Sequence, residues 1–175
     1  LHVAISRLTR LDAPIVCAVQ GTAAGAGLSL CASADLVVAV DSAKFTSAYT
    51  KAGLSPDGSS TYFLPRRIGD RRARELMLTN RVLSAAEAES WGLVNQVVPE
   101  DQLTEATSAL VSMMTAGPTR AFGAVKRLLN ESSHTSLETQ MELETREIAS
   151  CAMSEDGQEG ISAFLAKRAP SYRGQ

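Results

Sequence analysis

Apolar positions fall along this chain in two rhythms. Residues 15–19 (IVCAV) and 36–40 (LVVAV) are short unbroken apolar runs rich in β-branched side chains, as buried strands are. Between them the chain passes through Gly21-Thr22-Ala23-Ala24-Gly25-Ala26-Gly27 into a small, apolar stretch, 28–34, that predicts a short buried helix. Strand, small-residue turn, helix and strand form a βαβ-like unit with very little side chain at its turn. Upstream, Leu1, Ile5, Leu8 and Leu11 recur at helical spacing before Asp12-Ala13-Pro14. A helix that opens at the first residue and leads into a buried strand raises the expectation that further strands precede it.

Downstream, 41–45 reads as a turn and a short extended piece, and 46–53 is ambiguous between helix and loop. Residues 53–60 (GLSPDGSS) are a strongly punctuated turn. Residues 61–68 read as a short helix or turn interrupted at Pro65, with Arg66 and Arg67 facing solvent or an anion. Asp70 is placed to cap a helix over 71–79. Ser84-Ala85-Ala86-Glu87 is a capping box for a helix that stops at Trp91-Gly92. Residues 93–98 then predict a strand ending at Pro99.

From there the rhythm is helical, over 101–115, 118–129, 135–152 and 155–168. Glu138, Glu142, Glu144 and Glu147 alternate with Leu137, Met141, Leu143 and Ile148, which marks a solvated face rather than a metal set. The chain thus divides into an α/β part, 1–98, and a helical part, 99–175. The helical part is expected to pack on the α/β part or on a partner subunit.

Composition narrows the function classes. Of 175 residues, 45% are hydrophobic and 21% charged, which is a globular balance. The net charge of −2 and the lack of a basic stripe argue against nucleic acid, and no apolar run is long enough for a bilayer. Cys17, Cys31 and Cys151 have no CxxC spacing and fit buried thiols in a reducing, cytoplasmic compartment. His2 and His134 have no carboxylate cluster near them in sequence. No metal site is expected, and His2 reads as a core, surface or terminal residue.

Two places carry candidate chemistry. The glycine–alanine turn ends at a helix start, whose N–H groups favour negative charge. Its spacing is neither GxGxxG nor a P-loop, which leaves a close helix–strand contact or an oxyanion site. Asp57, between Pro56 and Gly58, reads structurally as an Asx-turn or a helix cap bonded to the Ser59 or Ser60 N–H. Functionally it reads as a general base or nucleophile. Tyr49, Ser29, Ser59 and Ser60 are secondary polar candidates, with core packing the expected role of Ser29. No GxSxG elbow supports serine hydrolysis.

Four stretches carry a family resemblance: PIVCAVQGTAAGAGLSLCASADLVVAVDSAKF, AGLSPDGSSTYFLPRRIG, LTNRVLSAAEAESWGLVNQVVP and EGISAFLAKRAP. In this order they resemble the enoyl-CoA hydratase/isomerase (crotonase) superfamily, and look like the C-terminal two-thirds of its domain. The resemblance implies an α/β spiral of ββα units with a helical C-terminal trimerisation region. Residues 1–98 would be the later part of the core, and the earlier part would supply the first oxyanion donor and much of the adenine-side contact.

The resemblance also implies an acyl-CoA thioester as substrate, no cofactor beyond it, and a homotrimer or dimer of trimers. The Ala26 N–H would be the second oxyanion donor, flanked by Gly25 and Gly27. Ser29 and Tyr49 stand where the family's hydratases carry two glutamates, which departs from ordinary hydration. Asp57 matches the aspartate of dienoyl-CoA isomerases, aryl-CoA dehalogenases and the ring-opening isomerase of phenylacetate breakdown. YTKAGLSPDGSSTYFLPR and FLAKRAP are most similar to the last of these. Pro56 and Tyr49 would line the acyl pocket, and Phe164 and Lys167 would reach the CoA of a neighbouring subunit. An acyl-CoA isomerase is therefore expected, with an enoyl-CoA hydratase or a non-catalytic relative as alternatives.

Overall fold

The computed structural model describes residues 1–175. They form two units, Leu1–Thr9 with Ile15–Leu110 and Arg10–Pro14 with Val111–Gln175.

The first unit begins with α1 (His2–Leu8), whose Ile5 is buried. Then come β1 (Val16–Val19), β2 (Thr22–Ala24) and α2 (Ala26–Ser33), followed by β3 (Leu36–Val40) and β4 (Lys44–Thr46). β2 lies inside the small-residue turn, where the sequence suggested no strand: three residues pair Thr22↔Lys44 to Ala24↔Thr46. A three-residue strand is too short to show an alternation, and only its partner reveals it.

After α3 (Ser60–Ile68), α4 (Asp70–Thr79), β5 (Leu83–Ser84) and α5 (Ala85–Trp91), β6 (Gln96–Val98) closes a parallel sheet of order β1-β3-β6. A second sheet has the order β2-β4-β5, with β5 antiparallel to β4. The pairs β1–β2 and β3–β4 each send their first member to one sheet and their second to the other before returning through helix, the pattern of a ββα spiral.

The spiral closes on an apolar centre. Val40 and Phe45 are fully buried, and Leu28, Leu64 and Leu76 belong to the same cluster. Each such side chain contributes roughly 1.5–3 kcal/mol by leaving water. The entry of β1 is pinned by the Ile15 N–H, which donates to the Asp35 carboxylate at 2.8 Å.

Two local expectations are corrected. α3 runs through Pro65 without interruption. Asp70 is the first helical residue of α4, and its side chain meets Arg74 instead of capping. Arg67 is exposed as expected, and its guanidinium also donates to the carbonyls of Ala32 and Ala34 at 3.3 and 3.1 Å. It thereby fills the acceptors left open at the C-terminal end of α2, where a cation is favoured. The Ser84 capping box forms as expected, with Glu87 N–H to Ser84 Oγ at 3.3 Å and Ser84 N–H to Glu87 Oε2 at 2.9 Å.

α6 (Leu103–Thr115) follows a 3-10 turn at Glu100–Gln102, and α7 (Thr119–Glu131), α8 (Leu137–Ala152) and α9 (Glu155–Leu165) make up the rest of the chain. In the second unit Glu147 is no solvated residue. It pairs with Arg127 at 2.9 and 3.0 Å, and Arg127 also holds Asp12. The apolar row of α8 instead faces outward, with Leu137, Met141 and Ile148 all exposed. Asp156 is buried and accepts from the backbone N–H groups of Arg173, Gly174 and Gln175, which folds the C-terminal residues back onto α9.

Candidate active site

Gly25 ends the small-residue turn at φ +52, a left-handed value that glycine adopts at little cost. The conformation starts α2 at Ala26 with no side-chain cap, so the first N–H groups of the helix stay available to a ligand. Ala26 and Gly27 are exposed there. Gly25 itself is held by its N–H to the Thr46 carbonyl at 3.2 Å and lies against the Tyr49 ring.

One helical turn into α2 sits Ser29, fully buried. Its hydroxyl lies 2.8 Å from the Asp57 carbonyl, 3.2 Å from the Gly25 carbonyl and 3.4 Å from the Tyr49 hydroxyl. A hydroxyl has one proton to give. With that proton directed at a carbonyl, the Tyr49 hydroxyl is the donor in their mutual contact. Ser29 therefore joins the start of the helix, the aromatic ring and the Asp57 turn. The sequence suggested core packing for it, and buried it is, but its hydrogen bonds make it the junction of the site.

The turn is pressed onto α2. A Cβ at Gly58 would stand 2.8 Å from Ser29 Cβ, closer than side chains pack, and Gly58 has φ +62. Ser59 follows at φ +62, a conformation costing a non-glycine residue about 1–2 kcal/mol. Such a strained pair is tolerated where the surroundings fix it. Here the Asp57 carbonyl accepts the Ser60 Oγ and N–H at 3.0 and 3.3 Å as well as Ser29.

The structural alternative for Asp57 is thereby answered. The turn and the start of α3 use its carbonyl, and α3 has no side-chain cap. The carboxylate is left exposed and meets His2 Nε2. The Gly58 amide, and after it His2, hold the Asp57 carboxyl below the usual carboxylate range. The group is therefore ionised at neutral pH, as a base must be.

The structure thus gathers Gly25, Tyr49 and Asp57 through Ser29, and adds His2. No sequence signal pointed to His2, since it lies 55 residues from Asp57 and outside any motif. Half-buried Pro56 precedes Asp57, while Ala26 and Gly27 open the helix beside Gly25. Phe164, exposed on α9, and Lys167, at φ +52 just beyond it, belong to the second unit.

Amides at a helix N-terminus can hold an oxyanion, and an ionised carboxylate can take up a proton. The enoyl-CoA hydratase/isomerase family pattern matches residues 2–175. The chain belongs to that family.

Among the family's characterised members, 1,2-epoxyphenylacetyl-CoA isomerase of Escherichia coli is 41% identical over 98% of this chain and 65% of its own length. A 4-chlorobenzoyl coenzyme A dehalogenase of Arthrobacter is 36% identical over 95% of this chain and 60% of its own. The crystal structure of an enoyl-CoA hydratase from Polaromonas superposes with a TM-score of 0.93 at 35% identity. It is matched over 98% of this chain and 67% of its own. The fold is therefore the crotonase α/β fold, and the chain spans less than two thirds of the first two relatives' length.

Proposed function

We propose that this protein is an acyl-CoA isomerase in which Asp57 carries the proton. The thioester oxygen rests on the Ala26 N–H, with Gly25 and Gly27 allowing close approach. The Asp57 carboxylate removes the Cα proton, and the electron pair moves into the carbonyl to give an enolate held by the amide. Asp57-H then returns the proton to a more remote carbon, and the double bond forms nearer the thioester. Such a preorganised donor is worth about 10²–10³ in kcat. The same two groups serve a ring-epoxide or oxepin substrate, the chemistry printed in the name of the Escherichia coli relative.

One observation carries this reading. The Asp57 turn is fastened to α2 by its backbone, three residues or about 4.5 Å of helix rise beyond Ala26, while its carboxylate, met by the Gly58 amide and His2, stays exposed. Ser29 and Tyr49 offer hydroxyls where paired carboxylates would be needed to activate water and protonate carbon. The outward apolar row of α8 supports a self-associating protein, a trimer or a dimer of trimers, in which Phe164 and Lys167 reach a neighbour's CoA.

The test is a panel of 3-enoyl-, 2-enoyl- and ring-epoxide acyl-CoAs with full-length protein. Isomerisation of the first or third supports the reading. Reversible hydration of 2-enoyl-CoA without isomerisation makes the protein a hydratase, and inertness towards all three makes it a non-catalytic relative.

A further inference from the structure

The carboxylate that the proposed reaction depends on is more than half exposed, with a side-chain relative exposure of 54%. A carboxylate on a turn has two free torsions, so fixing the Asp57 backbone through Ser29 and Ser60 does not fix its oxygens. The one side chain that meets them is His2, on α1. α1 is anchored through Ile5, which lies three residues on and on the same face and is buried in the apolar centre. The neighbouring Leu1 side chain reaches the same turn, 3.1 Å from where a Gly58 Cβ would stand. An exposed ion pair adds little to folding. The contact has its value in where it puts the carboxylate.

We infer that His2 is a positioning residue for Asp57: its Nε2 engages Oδ1, fixes the carboxylate rotamer, and leaves Oδ2 to exchange the proton with substrate. This rests on the proposed role of Asp57. The ionisable side chain facing the carboxylate is His2 on α1, with Tyr49 reaching the turn through Ser29. His2 alone among the side chains touches it. The Gly58 amide and His2 both favour the charged form, so loss of His2 raises the pH at which Asp57 becomes an active base.

The experiment compares full-length wild type, His2→Phe, His2→Gln and Asp57→Asn on the best substrate of the panel, across pH, with thermal melts of each. For His2→Phe, kcat is expected to fall about 10- to 100-fold, the scale of a small misplacement, with KM changed far less. The acid limb of kcat/KM moves to higher pH. His2→Gln, whose amide can donate over a similar reach, restores most of kcat. A His2→Phe enzyme with wild-type kcat and an unmoved acid limb overturns the inference, as does a His2→Gln enzyme no better than His2→Phe. An active Asp57→Asn enzyme overturns the base assignment itself; an inactive one beside an unaffected His2→Phe overturns only the role of His2.

Discussion

The Ser29 hydroxyl stands 2.8 Å from the Asp57 carbonyl oxygen, so α2, whose first amides lack a side-chain cap, also holds the backbone of the aspartate. Ser29 is committed to geometry. Ser29→Ala deletes a buried hydroxyl, its one proton and the link from α2 to the Asp57 carbonyl, which keeps only its Ser60 donors. The expected cost is about 1–2 kcal/mol, or about 2–8 °C in the thermal midpoint. Calorimetry beside a kcat measurement checks it, with kcat expected to fall while KM changes little.

Gly58→Ala meets two penalties. The new Cβ stands 2.8 Å from Ser29 Cβ, and the backbone is at φ +62. Destabilisation of about 1–3 kcal/mol is expected from the overpacking alone. Because the relief available is to lift the turn off α2, activity should be lost more steeply than stability. Melting and turnover of the same preparation separate the two effects.

Ala26→Pro removes the N–H proposed to hold the oxyanion and keeps the helix start, since proline is favoured at the first helical position. A loss of about 10²–10³ in kcat is expected. Ala26→Gly retains the N–H and should stay within about threefold of wild type by the same reasoning. Equal losses in the two variants would place the oxyanion elsewhere.

In the helical unit, Glu159 is held at a pKa of about 2, first by the Arg168 guanidinium and then by the Ser171 N–H. A depressed acid contributes stability above its unfolded pKa and loses it as pH falls through the folded value. The pairing of α9 with the residues after it should therefore weaken between pH 4.5 and about 2. Proteolysis or amide exchange of residues 168–175 along an acid titration checks this, with Glu159→Gln expected to show the open behaviour already at neutral pH.

Much of the fold was legible because its signals are local. The apolar runs at 15–19 and 36–40, the Ser84 capping box and the four C-terminal helices all appear within a residue or a few of where their patterns place them. β2 and β5 were missed because strands of three and two residues exist only through their pairing with β4. In the site, Gly25, Ala26 and Asp57 could be singled out from turn chemistry and family resemblance. The roles of Ser29 and His2 depend on contacts across 28 and 55 residues, which periodicity does not encode. The partners of exposed Arg67, carbonyls at the far end of α2, were hidden for the same reason.

The central claim is that the Asp57 carboxylate carries the proton, and its most direct test is the turnover of a 3-enoyl-CoA or ring-epoxide acyl-CoA by full-length Asp57→Asn beside wild type. The amide is nearly isosteric, so the turn should remain intact while the base is lost. A fall of about 10²–10⁴ in kcat, with the thermal midpoint essentially unchanged, is the predicted result. Wild-type turnover by Asp57→Asn would contradict it.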